Sequence, residues 1–571
     1  MDLHYFSLII YVTTIYNCLS GSGSHVPENP SPLLTKNILN AILQNKGTSQ
    51  KQIINKLVEA NGDQEKIING INSELRENLL QKHNDLIRIK HEGLKNIVTE
   101  SVQSSASNSF VGYILKNILD EGLTAHNENL ETWAANNSIP VDNILRANEY
   151  THEFPNGSVK SYDSNQLASN NPIEDTRAEA SCLITSGLLV GVFDGHGGGA
   201  CAQVIAKRLY HYITACLLPH DHLTEYVAAL SSPNPPKLIE SYNDKVQLVD
   251  DVRDLYKSSF VEFLKDLAKV GQKQGFEMRK ALEKAFLRLD SDLSKEALPI
   301  DEKINMKTLS VAMSGAVACV AHIDGAHLHI ANVGDCCAVL GTLSDTNAWI
   351  AKKITQEHNF YNKAEVERII KEHPYNESST VIKVGRLLSQ LAPFRAMGDF
   401  CYKWNKEIMY SVVVKYFGEN AMPPNYHTPP YLTAIPEVTH HRLTPRDKFL
   451  VIASDGLWDI ISPLEVVRLV GEHMSGKLTL SPLKLPRKNM KLSEINELLL
   501  QRKEGLKTKP KDSNAATHLI RNALGGTEYG IDHSELSETL SLPDDVVRVF
   551  RDDITITVIY FDSEYLRHCP P

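Results

Sequence analysis

Residues 188–193, Leu-Leu-Val-Gly-Val-Phe, are apolar without interruption and run directly into Asp194-Gly195-His196-Gly197-Gly198. A strand with no polar side is buried, and a carboxylate followed by a flexible loop at its end marks the rim of a metal site. The arrangement recurs far downstream. Val451-Ile452-Ala453 leads into Ser454-Asp455-Gly456-Leu457-Trp458-Asp459, and Arg551-Asp552-Asp553 precedes the alternating strand Ile554-Thr555-Ile556-Thr557-Val558-Ile559-Tyr560-Phe561. Three strand-edge carboxylates can converge at one place, and oxygen donors of this kind suit hard divalent cations such as Mg²⁺ or Mn²⁺. The chemistry indicated is metal-assisted hydrolysis.

The chain has 571 residues, of which 42% are hydrophobic, enough for one large core or two ordinary ones and for more than one structural unit. Its net charge of −10 and pI near 6.1 argue against a nucleic-acid surface, which would need a clustered basic face. The nine cysteines are odd in number and form no C-x-x-C pair, a pattern that fits a reducing compartment. Adjacent Cys336 and Cys337 suggest a redox switch, but buried cysteine behaves as a small hydrophobe and that is the ordinary reading.

Residues 3–19 are mostly apolar and resemble a signal-peptide core or short membrane anchor, giving an anchor-like or targeting segment over 1–30. No basic residue precedes this run, Asp2 stands before it and the first lysine is Lys36, so it is also a poor mitochondrial presequence. The sequons at Asn136, Asn156 and Asn376 are too short a pattern to decide location. Over 31–138 apolar residues fall at helical spacing, as in Ile38, Leu39, Ile42, Leu43 and Ile53, Ile54, Leu57, Val58, which predicts a separate helical region of unassigned role.

Beyond it, strand-like runs at 188–193, 317–323, 328–333 and 449–453 alternate with helical patterns, including the stripe Ala202, Ile205, Ala206, Leu209, Ile213. Asp324-Gly325 between two of those runs is a hairpin signal and favours antiparallel sheets. The fold class expected is therefore α+β. The Lys- and Pro-rich segment 475–513 reads as a surface insertion with a helical piece near 492–500.

The ordered set Ile173-Glu174-Asp175, Phe193-Asp194-Gly195-His196-Gly197-Gly198, Asn332-Val333-Gly334-Asp335, Arg395-Ala396-Met397-Gly398-Asp399, Asp455-Gly456-Leu457-Trp458-Asp459 and Asp552-Asp553 resembles the PP2C (PPM) metal-dependent serine/threonine phosphatases. The likeness spans about 139–561, within a phosphatase domain expected over 139–565. It implies a central antiparallel β-sandwich flanked by helices, with metals at one end. It further implies two divalent cations, with Asp194 bridging them, the Gly195 carbonyl on one, Asp455 and Asp552 completing the other, and Glu174 acting mainly through water. Asp175 would support this shell, and a third, weaker metal would use Asp335 and Asp459 beside Asp455. His196 would be the general acid, an imidazole being able to protonate the departing seryl or threonyl oxygen near neutral pH. Arg395 would lie just outside the metal shell, either touching phosphate or in a structural ion pair.

Asn143-Ile144-Leu145-Arg146-Ala147-Asn148-Glu149-Tyr150, Asp163-Ser164-Asn165-Gln166-Leu167, 423–434 and Asn514-Ala515-Ala516-Thr517-His518-Leu519-Ile520-Arg521 resemble the branch of the family that acts on pyruvate dehydrogenase. That branch implies a phosphoserine substrate on the E1 alpha subunit, docking on the lipoyl-bearing E2 core, a regulatory subunit and the mitochondrial matrix. The alternatives are a phosphatase of another phosphoprotein in a membrane or secretory setting, and a catalytically weak docking protein. Two departures stand out. Many members carry an arginine where this chain has Asn170, leaving one uncharged donor in place of a bidentate clamp at the substrate phosphate. Cys336-Cys337 follows Gly334-Asp335 where Ser-Arg is usual. The His196-Gly197-Gly198-Gly199 run mimics an esterase oxyanion loop, but the chain contains no G-x-S-x-G elbow and no P-loop.

Overall fold

The computed structural model describes residues 141–569, apart from 231, 233–234, 246–249, 271–274, 479, 481–482, 484, 486–489, 508, 543–546 and 549. The apolar run 3–19 and the helical spacing over 31–138 lie outside the described residues. A compact unit spans Asn137–Pro571.

Two antiparallel sheets form its centre. The first runs in the order β1 (Tyr150–Glu153), β2 (Val159–Leu167), β15 (Ile554–Phe561), β14 (Asp447–Ala453), β8 (Cys337–Leu343) and β9 (Trp349–Lys353). The second runs β13 (Glu437–Arg442), β7 (His327–Val333), β6 (Gly315–Asp324), β4 (Leu188–His196), β3 (Thr176–Cys182) and β5 (Ile239–Tyr242), with β12 (Met397–Gly398) against one end of β6. A separate hairpin joins β10 (Ile382–Lys383) to β11 (Arg386–Leu387). The expected turn at Asp324-Gly325 closes the β6–β7 hairpin, with Gly325 at φ +54° where a side chain would be strained.

Successive strand residues face opposite sides, and β14 shows why its run is unbroken. Leu450 and Ile452 enter the core shared with the second sheet. Phe449, Val451 and Ala453 enter another core, against the helices Pro463–Met474 and Ala515–Gly525. On the far side, helices Ala200–Leu217 and Met278–Glu296 cover the second sheet through Leu209, Ile213, Phe286 and Leu289. The result is a helix–sheet–sheet–helix sandwich, and the 188–193 run is apolar because β4 is covered on both faces. Cys336 and Cys337 are buried free thiols belonging to the two different cores, which fits their reading as small hydrophobes.

Three of the branch-specific stretches meet at one structural junction. Asp163 accepts from the Ala515 N–H at 2.9 Å, Asn165 donates to the Leu145 carbonyl at 2.6 Å and to Thr517 at 2.8 Å, and Thr517 donates to Glu149 at 2.8 Å. Arg521, fully buried, donates to both oxygens of Asp512 at 2.7 and 2.8 Å and to Asp142 at 2.8 Å. The stretch around 423–434 is anchored instead by Tyr431, whose hydroxyl donates to Glu377 at 2.6 Å. The insertion carries the helix Leu492–Gly505, longer than the piece the sequence suggests.

Candidate active site

Asp194 and Gly195 lie within β4 and Asp455 opens the short helix Asp455–Trp458, so neither Asp-Gly pair is simply a turn. Both glycines are dictated by close approach of another chain segment. A β-carbon at Gly195 would fall 2.3 Å from the Glu174 carbonyl, and one at Gly456 would fall 2.0 Å from the Asp553 carbonyl. These contacts draw the ends of β4, β14 and β15 and the loop before β3 to one end of the sandwich.

Asp194 is close enough to Asp175 and Asp455 for the three carboxylates to act on one another's charge. Burial, and then the neighbouring carboxylates Asp175, Asp455 and Asp335, push the Asp194 carboxyl well above its ordinary range. Burial first and Asp553 next push Asp175 up to about 7. Asp335 also rises to about 7, through burial and then Asp455. Asp459 rises to about 6 from burial and Asp455; its side chain is exposed, so solvent weakens that push. The helical turn expected between Asp455 and Asp459 is present, with the Asp459 N–H donating to the Asp455 carbonyl at 2.9 Å.

Glu174, expected to act through water, is held by the backbone, and Asp552, expected as a direct ligand, is held by a cation. Glu174 accepts from the Gly198 N–H at 2.6 Å, tying its loop to the glycine run after β4. Asp552 is ion-paired with Arg548, whose positive charge also bears on Asp455.

These residues suit hard cations. Asp455 Oδ1 and Asp175 Oδ2 are buried without any hydrogen-bond partner, and crowded buried carboxylates of one sign call for positive charge. The donors are all oxygen, as Mg²⁺ and Mn²⁺ prefer. Among the described residues no three His, Cys, Asp or Glu side chains form a ready-made cage, an arrangement compatible with ions that keep several waters.

Three carboxylates with no expected role, Asp553, Glu365 and Asp399, organise the surroundings. Asp553, beside the expected ligand Asp552, is buried and accepts from the N–H groups of Ser169, Asn170 and Glu174 at 2.5, 2.8 and 2.9 Å. The Asn170 side-chain amide donates to the same carboxylate at 3.0 Å. Asn170, expected at the substrate phosphate, is thereby committed to the loop that carries Glu174, because a buried carboxylate needs donors. Arg395 pairs with buried Glu365, with its Nε 2.9 Å from Oε2, and donates to the Ile435 carbonyl at 2.9 Å. This is the structural ion pair. Asp399, in left-handed backbone at φ 52°, stands 2.6 Å from His196 Nε2. Burial disfavours a charged His196, but Asp399 outweighs it and holds the imidazole above its ordinary pKa. The adjacent Asp-Asp and Gly-Asp dipeptides were the only trace of Asp553 and Asp399 in the sequence.

An antiparallel sandwich with carboxylates gathered at one end is the architecture of a metal-dependent phosphatase, and the protein phosphatase 2C family model matches residues 245–495. The chain belongs to the protein phosphatase 2C family and is a metal-dependent protein serine/threonine phosphatase. Over 443 residues, 74% of this chain, it is 44% identical to the mitochondrial [Pyruvate dehydrogenase [acetyl-transferring]]-phosphatase 2 of Homo sapiens, covering 83% of that protein. It is 43% identical over the same span to phosphatase 1 of Rattus norvegicus, covering 82% of it. Phosphatase 1 of Saccharomyces cerevisiae is 30% identical over 469 residues, with 74% of this chain and 73% of the yeast protein covered.

Proposed function

We propose that this chain dephosphorylates phosphoserine on the E1 alpha subunit of pyruvate dehydrogenase in the mitochondrial matrix, and so activates that complex. The similarity to relatives named as mitochondrial phosphatases of pyruvate dehydrogenase supports the substrate complex and the organelle; the E1 alpha phosphoserine and the matrix are the finer part of the proposal. The chemistry rests on one observation, the crowding of half-buried Asp194, Asp335 and Asp455 around buried Asp175, with one oxygen of Asp175 and one of Asp455 enclosed and unpartnered. A docking protein without activity would have lost one of Asp194, Asp455 or Asp552, and all three are retained. Among the described residues no helix is long and apolar enough to cross a membrane.

Asp194, the Gly195 carbonyl, Asp455 and Asp552 would hold two divalent cations, with Glu174 contributing through water and Asp335 and Asp459 offering a weaker third place. When bound, such ions lower the pKa of a water and offset charge on the phosphoryl oxygens. Asp175, a buried carboxylate beside Asp194, would support the ligand shell from behind. His196 supplies a proton to the departing seryl oxygen. Since Asn170 is engaged by Asp553, the chain offers no side-chain clamp for the phosphate at that position, and substrate grip depends on the cations and on protein docking. Docking on the E2 lipoyl domain and control by a regulatory subunit belong to the same proposal.

The test is phosphate release from purified, phosphorylated pyruvate dehydrogenase complex with Mg²⁺ or Mn²⁺. Release together with regained dehydrogenase activity is expected. Turnover of a generic phosphoserine peptide without release from the complex would assign the chain to another phosphoprotein.

A further inference from the structure

The group nearest His196 is the carboxylate of Asp399, and the fold spends several features on holding it there. Nε2 of His196 and Oδ2 of Asp399 are 2.6 Å apart, a charge-assisted contact at the short end of the range. Asp399 is buried, at 3% exposure, and sits at φ 52°, a backbone state that costs energy for any residue but glycine. Its own N–H donates to the Ser314 carbonyl at 2.9 Å. One residue earlier, the Gly398 N–H donates to buried Asp290 at 2.9 Å, and Lys403 reaches both Asp290 oxygens at 2.9 Å while also donating to the Ala396 carbonyl at 2.9 Å. Gly315, opposite His196 in the β4–β6 register, leaves the room: a β-carbon there would stand 2.2 Å from both His196 Nε2 and Asp399 Oδ2. A strained residue held by a buried Asp–Lys pair and aimed at one imidazole nitrogen marks an orienting device.

We propose that Asp399 is the positioning residue for His196: it fixes the ring and engages Nε2, so that Nδ1 is the nitrogen that delivers the proton. This deepens the reading of His196 as general acid and rests on it. In the step, a water oxygen forms the new bond to phosphorus and the bond from phosphorus to the seryl oxygen breaks. The seryl oxygen leaves with the bonding pair and takes the proton from Nδ1. Neutral imidazole remains, its other proton on Nε2 shared with Asp399. No oxidant or further reactant is needed.

The test exploits the leaving group. A seryl oxygen needs a proton to depart, whereas 4-nitrophenolate departs as an anion, so loss of the acid lowers the ratio of phosphoserine-peptide to 4-nitrophenyl phosphate turnover. In the full chain with Mn²⁺, His196→Ala is expected to lower that ratio by about 100-fold, within the usual worth of a general acid. Asp399→Asn is expected to lower it at least about tenfold on the same scale, and the double variant to fall no further than His196→Ala alone. Gly315→Ala, which drives a methyl group between the two partners without removing either, should shift the ratio in the same direction if Asp399→Asn does not fold. If His196→Ala lowers both substrates equally, the general-acid reading itself fails. If His196→Ala is selective but Asp399→Asn and Gly315→Ala depress both substrates equally, or if the double variant loses both effects multiplicatively, Asp399 is structural only and the inference is overturned.

Discussion

The backbone carbonyl of Asp553 passes so close over Gly456 that a β-carbon there would lie 2.0 Å from its oxygen. Asp455, one residue earlier, and Asp552, one residue before the carbonyl, are both expected cation ligands, so this approach sets the spacing of the two loops. Gly456→Ala must push them apart. We expect it to cost about 2 kcal/mol, typical of inserting a methyl group where there is no room, and to raise the Mn²⁺ concentration needed for half-maximal turnover. Urea unfolding and a metal titration of activity measure the two effects separately.

Glu365 is buried beneath Arg395 and Arg368. Burial alone would raise its carboxyl, but the two guanidinium groups outweigh it and bring it from the ordinary 4.5 down to about 2. Folding lowers this pKa, so the stabilisation is complete above 4.5 and is lost as pH falls through about 2. Glu365→Gln leaves Arg395 without its anion and should cost about 3 kcal/mol at neutral pH. Denaturation curves at a series of pH values should show the gap between wild type and variant narrowing steadily below pH 4.5.

Arg521 joins Asp512 and Asp142 in the junction built by the branch-specific stretches. Arg521→Met leaves buried Asp512 with only the longer contact to Arg146, at 3.4 Å, and is expected to destabilise the fold by about 3 kcal/mol. The junction contains none of the expected metal ligands, so the surviving folded fraction should keep the wild-type metal dependence. A changed metal requirement in that fraction would show that the junction reaches the cation site.

The sandwich was readable because its strands are buried on both faces. Unbroken apolar runs such as 188–193 register that burial directly, whereas the alternation over 554–561 marks a strand but understates its burial, since Thr555 and Thr557 are fully buried; Gly325 marks its hairpin by the backbone it must adopt. The carboxylates at strand ends were readable because they directly follow or precede those runs. Other parts were hidden for physical reasons. Asp399 owes its place to a left-handed backbone in a loop without periodicity, and its partner lies 203 residues away. Glu365 is one acid among several on the helix Lys363–Glu372, and only the folded chain brings Arg395 to it. Asn170 reads as a substrate contact by alignment with an arginine, but Asp553, 383 residues away, claims its amide. The edge strands β5 and β13 are short and partly exposed, so neither carries a strong apolar signal.

The central claim is that Asp194 and Asp455, with Asp552, hold the cations on which hydrolysis depends. Phosphate release from a phosphoserine peptide, measured across a Mn²⁺ titration for wild type, Asp194→Asn and Asp455→Asn and repeated in excess chelator, tests it most directly. Wild-type activity should vanish in chelator and return with Mn²⁺, and each variant should fall by more than about 100-fold, beyond the loss of an outer-sphere partner. Undiminished turnover in chelator, or an Asp455→Asn enzyme as active as wild type at every Mn²⁺ concentration, would contradict it.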